Sequence, residues 1–296
     1  MIYDLIIIGM GPAGVSAAIY AKRAGLNILC FDEAMIGGYL NYIDRIDNYP
    51  GLYGISGPDF AFKLYEHIQS LNIEYKNQKV LSIINGDIKK VVTSDSVYLC
   101  KYIVIATGRK ARKLGLSSEE ELLGKGLSNC ALCDGAFYKD KVVAVVGGGN
   151  SALQEALYLS TIASKVYLIH RGEKYKAISE LDDKVNEKDN IVKIFNSKIV
   201  GLKKENDRLS GVFLDSGDYL DVNGLFVYIG FVPSTEFAKS LGITNKNDYI
   251  IVDKNYETKI KGIYAIGDII NKKIYQISTA VAEGTIVATN IIDKCK

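Results

Sequence analysis

Short, wholly apolar runs alternate with longer amphipathic ones along this chain, a pattern that predicts buried strands separated by helices. Residues 2–8, Ile-Tyr-Asp-Leu-Ile-Ile-Ile, read as a buried strand, Val15–Arg23 as a helix, and Asn27–Phe31 as a second strand that ends in Asp32-Glu33. Helical spacing returns over Asp59–Leu71, with Phe60, Phe62, Leu64, Ile68 and Leu71 as apolar positions and His67 half-exposed. Strands are expected at Val80–Ile84, Lys90–Thr93, Ser96–Leu99 and from Tyr102 into the small turn Ala106-Thr107-Gly108. The opening pattern then recurs as strand Lys141–Val146, helix Leu153–Leu159 and strand Lys165–Ile169. Residues 173–190, crowded with Glu, Lys and Asp, read as a solvated helix or loop. Further strands are expected at Ile191–Phe195, Lys198–Lys204, Leu209–Phe213 and Leu225–Tyr228, then a break at Gly230–Pro233. A last strand, Gly262–Asp268, leads into a helix over Ser278–Ile292.

Both strand–helix–strand units carry a glycine turn between strand and helix. In the first, Gly9-Met10-Gly11-Pro12-Ala13-Gly14 matches the dinucleotide fingerprint. Its first glycine permits the tight turn, its second lets a pyrophosphate approach the backbone, and its third lets helix and strand pack closely. The helix N-terminus then offers free N–H groups to an anion. Asp32, with Glu33 after it, stands where a carboxylate can accept a ribose hydroxyl. The second copy reads Gly147-Gly148-Gly149-Asn150-Ser151-Ala152, with Ala in the third glycine position. Its strand ends in His170-Arg171-Gly172, basic where the first copy is acidic, which suits a 2′-phosphate. Asp268, after Gly267 at the end of the last strand, is placed for a cofactor hydroxyl at the carboxyl edge of a sheet. Two such units imply a doubly wound α/β protein with two Rossmann-like domains.

Composition narrows the class. The chain has 296 residues, 48% hydrophobic and 24% charged, which fits a globular protein large enough for two domains. Its net charge of +2 and the lack of a dense basic run give no support to nucleic-acid binding. The slight basic excess, 36 Lys and Arg against 34 Asp and Glu, permits docking of an acidic protein. The apolar N-terminal run is too short for a signal peptide or membrane span, and the five cysteines are sparse and odd in number. A cytoplasmic, reducing location is the expectation.

Between the two units lies Cys130-Ala131-Leu132-Cys133-Asp134-Gly135. Two thiols at this spacing can close into a disulfide and reopen, given a lowered thiolate pKa, access and a proton donor, a role open to Asp134. The alternatives are a zinc site and a structural disulfide. Zinc would need partners, but Cys30, Cys100, Cys295, His67 and His170 supply no matching pair. Cys30 and Cys100 read as small core residues at strand ends, and Cys295 falls in a terminus expected to fray.

Taken together these stretches resemble the low-molecular-weight thioredoxin reductase family of flavoproteins, nearly end to end. The resemblance implies an FAD-binding domain at 1–111 and 236–296, and an inserted NAD(P)H-binding-like domain at 112–235 that carries the Cys-x-x-Cys. It implies that FAD is held non-covalently by Gly9, Gly11, Pro12, Ala13, Gly14, Asp32, Glu33, Gly37, Gly38, Tyr39, Leu40, Asn48, Ala106, Thr107, Gly108, Gly267, Asp268, Gln276 and Ile277. It gives Cys130 and Cys133 the role of redox disulfide, with Cys133 nearer the flavin, and Asp134 that of acid. It implies a homodimer, and thioredoxin as the client, attacked by Cys130 after a domain rotation.

Several positions depart from the family pattern. Where NADPH-dependent members carry His-Arg-Arg-x-x-x-Arg, this chain has His170-Arg171-Gly172-Glu173-Lys174-Tyr175-Lys176. Each lost bidentate phosphate contact costs on the order of 1.5–3 kcal/mol. Asn150 replaces the usual Asp, Tyr39 the usual Gln, and Tyr275 a common Arg before Gln276; either tyrosine could cover the flavin. These departures resemble the clostridial ferredoxin-dependent flavin thioredoxin reductases. The expected donor is therefore reduced ferredoxin, with Gly149, Asn150, Ser151 and Arg171 as a vestigial NADPH site. An NADPH-dependent thioredoxin reductase is the alternative, followed by an oxygen-using oxidase of small dithiols and a nucleotide-sensing binding module.

Overall fold

The computed structural model describes the chain except for Asp44, Lys296 and the side chain of Cys133. In chain order its elements are β1 (Ile2–Ile8), α1 (Pro12–Arg23), β2 (Ile28–Asp32), α2 (Gly57–Ser70), β3 (Tyr75–Asn77), β4 (Val80–Ile84), β5 (Lys89–Thr93) and β6 (Val97–Ile105). Next come β7 (Arg109–Ala111), α3 (Glu119–Leu122), β8 (Leu127–Ser128), α4 (Ala131–Asp134), β9 (Val142–Gly147), α5 (Asn150–Ser160), β10 (Lys165–Ile169), α6 (Ser179–Asn186) and β11 (Ile191–Ile194). The chain closes with β12 (Ile199–Glu205), β13 (Arg208–Leu214), β14 (Tyr219–Asp221), β15 (Gly224–Tyr228), β16 (Phe231–Pro233), β17 (Ile263–Ala265) and α7 (Ile277–Cys295). Two compact units result: residues 1–110 with 232–296, and residues 111–231. β7 and β16 pair as a two-stranded ribbon where the chain leaves the first unit and returns.

The first unit is built on the sheet β3-β2-β1-β6-β5-β4, with β17 also paired to β6. β1 runs parallel to β2 and β6, while β4 and β5 are antiparallel. Because both faces of β1 are covered, its Leu5, Ile6 and Ile7 are all fully buried, as a near-continuous apolar run requires. One face packs on α1 and α7, which lie close because Gly284 has no side chain; a Cβ there would sit 2.3 Å from the Ala13 carbonyl oxygen. The Ser16 hydroxyl donates to the Val281 carbonyl at 2.8 Å across the same contact.

The second unit repeats the design as the all-parallel sheet β11-β10-β9-β15-β8, with α5 against it and the antiparallel β12-β13-β14 beside it. The fold is thus α/β with two Rossmann-like units.

Some local expectations change. The two strands expected at Ser96–Leu99 and from Tyr102 are one continuous strand, β6 (Val97–Ile105), because between them Cys100 is buried in the ladder and Lys101 turns outward to pair with Asp4 at 2.8 Å. α2 begins at Gly57, earlier than its apolar spacing indicates, because the Ser56 hydroxyl accepts the Asp59 N–H at 3.1 Å. Phe62, one of the apolar positions of the helical pattern, is 60% exposed, and His67 is exposed rather than half-exposed. The charged stretch after residue 172 contains α6, held by buried Leu181 and Val185 one turn apart. Cys30 and Cys100 are core residues in strand interiors rather than at strand ends. Cys295 occupies the last turn of α7 and packs against the core instead of fraying.

Candidate functional site: two glycine turns and a disulfide

In the first unit the glycine turn links β1 to α1 at the carboxyl edge of the sheet. Gly9 has φ +99°, and a Cβ there would meet the Ala106 carbonyl oxygen at 2.4 Å. A Cβ on Gly14 would sit 1.8 Å from the Gly9 carbonyl oxygen. Internal packing therefore demands both glycines. Gly11 differs, since the nearest atom to its would-be Cβ is the Gly37 carbonyl oxygen at 3.9 Å. The protein leaves that space open, at the N-terminus of α1, where Pro12 occupies the first turn and free N–H groups point outward. This cradle fits a dinucleotide pyrophosphate: a side chain at Gly11 would fill the approach without touching the fold.

Gly37, Gly38, Ala106, Gly267 and Asp32 stand against that turn. Gly37 donates its N–H to the Met10 carbonyl at 2.8 Å, and a Cβ on Gly38 would lie 3.4 Å from Gly11 Cα. Gly267, at φ +77°, approaches Ala13. Ala106 continues β6 beside β1, Thr107 donates to the Ser234 carbonyl at 2.8 Å, and Gly108 follows in the left-handed region. Asp32 ends β2 and accepts N–H groups from Met10 at 2.6 Å and Ala34 at 2.9 Å. Burial raises its pKa, although those bonds pull the other way; lone pairs remain for a hydroxyl donor. Leu40 and Ile277 belong to one apolar cluster, and Asn48 Nδ2 donates to Gln276 Oε1 at 3.0 Å. Glu33 turns away to Lys79 at 3.2 Å, on the surface. Tyr39 lies 5.9 Å from Tyr42, ring to ring, and is 43% exposed.

In the second unit Cys130 is disulfide-bonded and buried, whereas Cys30, Cys100 and Cys295 carry free thiols. The backbone before α4 is fixed by Ser128, whose hydroxyl accepts the Cys130 N–H at 3.0 Å. The Ala131 N–H donates to the Tyr228 hydroxyl at 2.8 Å. Asp134 closes the short helix, its N–H reaching the Cys130 carbonyl at 3.2 Å. The side chain of Cys133 lies outside the described residues. Tyr228 pairs in register with Gly147 at the ends of β15 and β9, so the disulfide segment and the second glycine turn share one sheet edge. Ser128 and Tyr228 escape sequence reasoning; the only hint is a tyrosine ending a strand of a parallel sheet.

Gly149, Asn150 and Ser151 are exposed at the start of α5, and no atom lies within 4 Å of a Cβ built on Gly149. The Asn150 carboxamide oxygen accepts the Ile178 N–H at 3.0 Å, and the Lys176 N–H reaches the Gly148 carbonyl at 2.7 Å. The loop after β10 is thereby folded back onto the glycine turn. It is wedged by His170, which is buried so tightly that a Cβ on Gly148 would stand 2.2 Å from Nδ1. Burial, helped by Arg171 and Lys176, lowers the His170 pKa. Arg171, Lys174 and Lys176 remain exposed around this turn, with Glu173 among them.

Among the described residues no three His, Cys, Asp or Glu side chains stand together to share a metal ion, and no helix is long and apolar enough to cross a membrane.

Residues 3–284 match the family described as pyridine nucleotide-disulphide oxidoreductase. A thioredoxin reductase from Bacillus subtilis is 38% identical over 296 residues, covering 98% of this chain and 94% of that protein. The crystal structure of Lactococcus lactis thioredoxin reductase superimposes with a TM-score of 0.90 at 37% identity, covering 98% of both chains. A ferredoxin-flavin thioredoxin reductase from Clostridium acetobutylicum gives 0.55 at 32% identity, covering 99% of this chain and 98% of that one. With the glycine cradle, the bonded Cys130 and the doubled Rossmann design, these matches place the chain in the low-molecular-weight thioredoxin reductase family, flavin disulfide oxidoreductases of the pyridine nucleotide-disulphide class.

Proposed function

We propose that this protein reduces thioredoxin, holding FAD in the first unit and working through Cys130 and Cys133 in the second, with a reduced pyridine nucleotide as electron donor. The observation that carries the reading is the sheet edge of the second unit, where a bonded Cys130 and an open glycine turn are tied together through Tyr228.

FAD, when bound, supplies a carrier that takes two electrons from the donor and passes them to the disulfide. In the first unit the α1 N-terminus and Gly11 would hold the pyrophosphate, Asp32 would accept from the ribose, and Thr107, Gly108, Gly267, Asp268 and Gln276 would hold the remainder. In the second unit Ser128 and Tyr228 hold the segment that bears the sulfurs. After reduction the Cys130 thiolate attacks the client's disulfide, Cys133 resolves the mixed disulfide, and Asp134 supplies the proton the leaving thiolate needs. Gly149 and the N–H groups of Asn150 and Ser151 receive the donor's pyrophosphate, with Arg171, Lys174 and Lys176 as counter-charges. This reading replaces ferredoxin as first choice, because the family description names pyridine nucleotide and the second glycine turn is intact.

Ferredoxin stays as a second reading on one observation: the phosphate-reading loop keeps a single arginine, Arg171, and adds Glu173. Anaerobic titration separates the two. Flavin bleaching by micromolar NADPH, followed by thioredoxin reduction, is the expected result. Bleaching by reduced ferredoxin, with none by NADPH or NADH, would overturn the donor assignment.

A further inference from the structure

Arg109 follows the Thr107-Gly108 turn, and sequence reasoning assigns it nothing. Its Nη2 donates to Asp268 Oδ2 at 2.8 Å, within a pair whose side chains are 21% and 32% exposed. Its guanidinium carbon lies 4.1 Å from the centre of the Tyr275 ring. Lys272 extends the alternation of charge: its Nζ stands 3.9 Å from the other Asp268 oxygen, 2.8 Å from Glu283 and 5.8 Å from the same tyrosine ring. Glu283, 5% exposed, accepts the Gly267 N–H at 2.6 Å. Cation and acid thus alternate from Arg109 through Asp268 and Lys272 to Glu283 on α7, with Tyr275 as a plate that both cations face.

We propose that Arg109 is a positioning residue for the flavin: it fixes the Asp268 carboxylate and the Tyr275 ring in the arrangement that receives the cofactor. The inference rests on the assignment of FAD to the first unit. A carboxylate on an unconstrained loop loses rotamer freedom when a ligand hydroxyl donates to it. Arg109 and Lys272 prepay that loss, leaving the remaining lone pairs of Asp268 aimed in set directions. A planar guanidinium can lie against an aromatic ring at close range while its edge donates to a carboxylate, so lysine, a compact point charge with a single nitrogen, is not an equivalent. The positive charge also favours electrons added nearby, which ties Arg109 to the flavin midpoint potential.

The test uses the full chain, deflavinated and reconstituted with FAD, as wild type, Arg109→Ala, Arg109→Lys and Tyr275→Leu. Flavin fluorescence gives the dissociation constant, dye equilibration the midpoint potential, and calorimetry the apoprotein Tm. Arg109→Ala should weaken FAD by about tenfold or more and move the midpoint to more negative values. Arg109→Lys should recover most of the potential but only part of the affinity, and Tyr275→Leu should weaken FAD while the ion pair survives. FAD binding within about twofold of wild type in Arg109→Ala and Tyr275→Leu, with unchanged potential, would overturn the proposal. A fall in apoprotein Tm alone would mark the contact as merely structural and overturn it equally. A wild-type chain that fails to take up FAD would instead sink the cofactor assignment itself. Should Arg109→Ala not fold, Arg109→Lys and Tyr275→Leu decide.

Discussion

Replacing Tyr228 by Phe removes the hydroxyl that accepts the Ala131 N–H at the disulfide segment. The ring stays, so its packing survives, and the lost atom is the acceptor that holds the Ala131 N–H at 2.8 Å. Ala131 is fully buried, so its amide gains little from solvent once the hydroxyl is gone. Orphaning a buried donor costs about 1–3 kcal/mol, against a net worth of about 0.5–1.5 kcal/mol for an ordinary hydrogen bond. Tyr228 is half-buried, which lets water restore part of the bond, so we expect about 1–2 kcal/mol. For a domain of this size that is a fall in Tm of about 5 °C. The effect should be local as well: amide exchange at Ala131 should accelerate, while the strands of the first unit keep their protection. Calorimetry and residue-resolved hydrogen exchange read both. Turnover with thioredoxin should drop with little change in flavin affinity, because Tyr228 belongs to the second unit. Unchanged Tm and unchanged Ala131 protection would refute the idea that this bond fixes the segment.

Other expectations follow from single contacts. Gly11→Ala should fold with near-normal Tm yet fail to retain FAD, whereas Gly14→Ala should lose at least about 1–3 kcal/mol of stability, since its Cβ would collide with the Gly9 carbonyl; calorimetry beside flavin content separates them. Burial pushes the Cys30 thiol up and the Cys100 thiol up to about 12, so a maleimide at pH 8 should label neither in the native protein, and mass mapping of the adducts checks this. Lys294→Met should cost about 1 kcal/mol by removing the partner of Glu257 at 3.0 Å and of the Tyr264 hydroxyl at 2.6 Å. Burial alone would raise Glu257, but the Gly262 N–H and Lys294 outweigh it and hold its carboxyl below the ordinary value of 4.5. Its contribution is therefore present above that pH and lost as pH falls through the lowered pKa, so the deficit of Lys294→Met should shrink in acid.

How much of this was legible in the sequence depended on the range of the physics involved. The glycine turns were, because their reason is local: Gly9 must adopt φ +99° and Gly14 must clear the carbonyl of Gly9. The repeated strand–helix–strand pattern was legible for the same reason, since period and caps act over a few residues. Contacts between distant segments were not. Tyr228 meets Ala131 across 97 positions and Arg109 meets Asp268 across 159, and no spacing rule connects either pair. Apolar periodicity marks a helix but cannot say which face finds a partner, which is why Phe62 lies exposed. Nor could composition reveal that Lys101 merely decorates a continuous β6, or that Leu181 and Val185 anchor α6 within a charged stretch.

On the proposed mechanism, electrons cross from flavin to the Cys130 and Cys133 sulfurs. Anaerobic dithionite titration of the FAD-loaded protein, against a Cys130→Ser/Cys133→Ser variant with equal flavin content, measures it directly. Wild type should consume twice as many electrons per flavin as the variant. Equal consumption would contradict it.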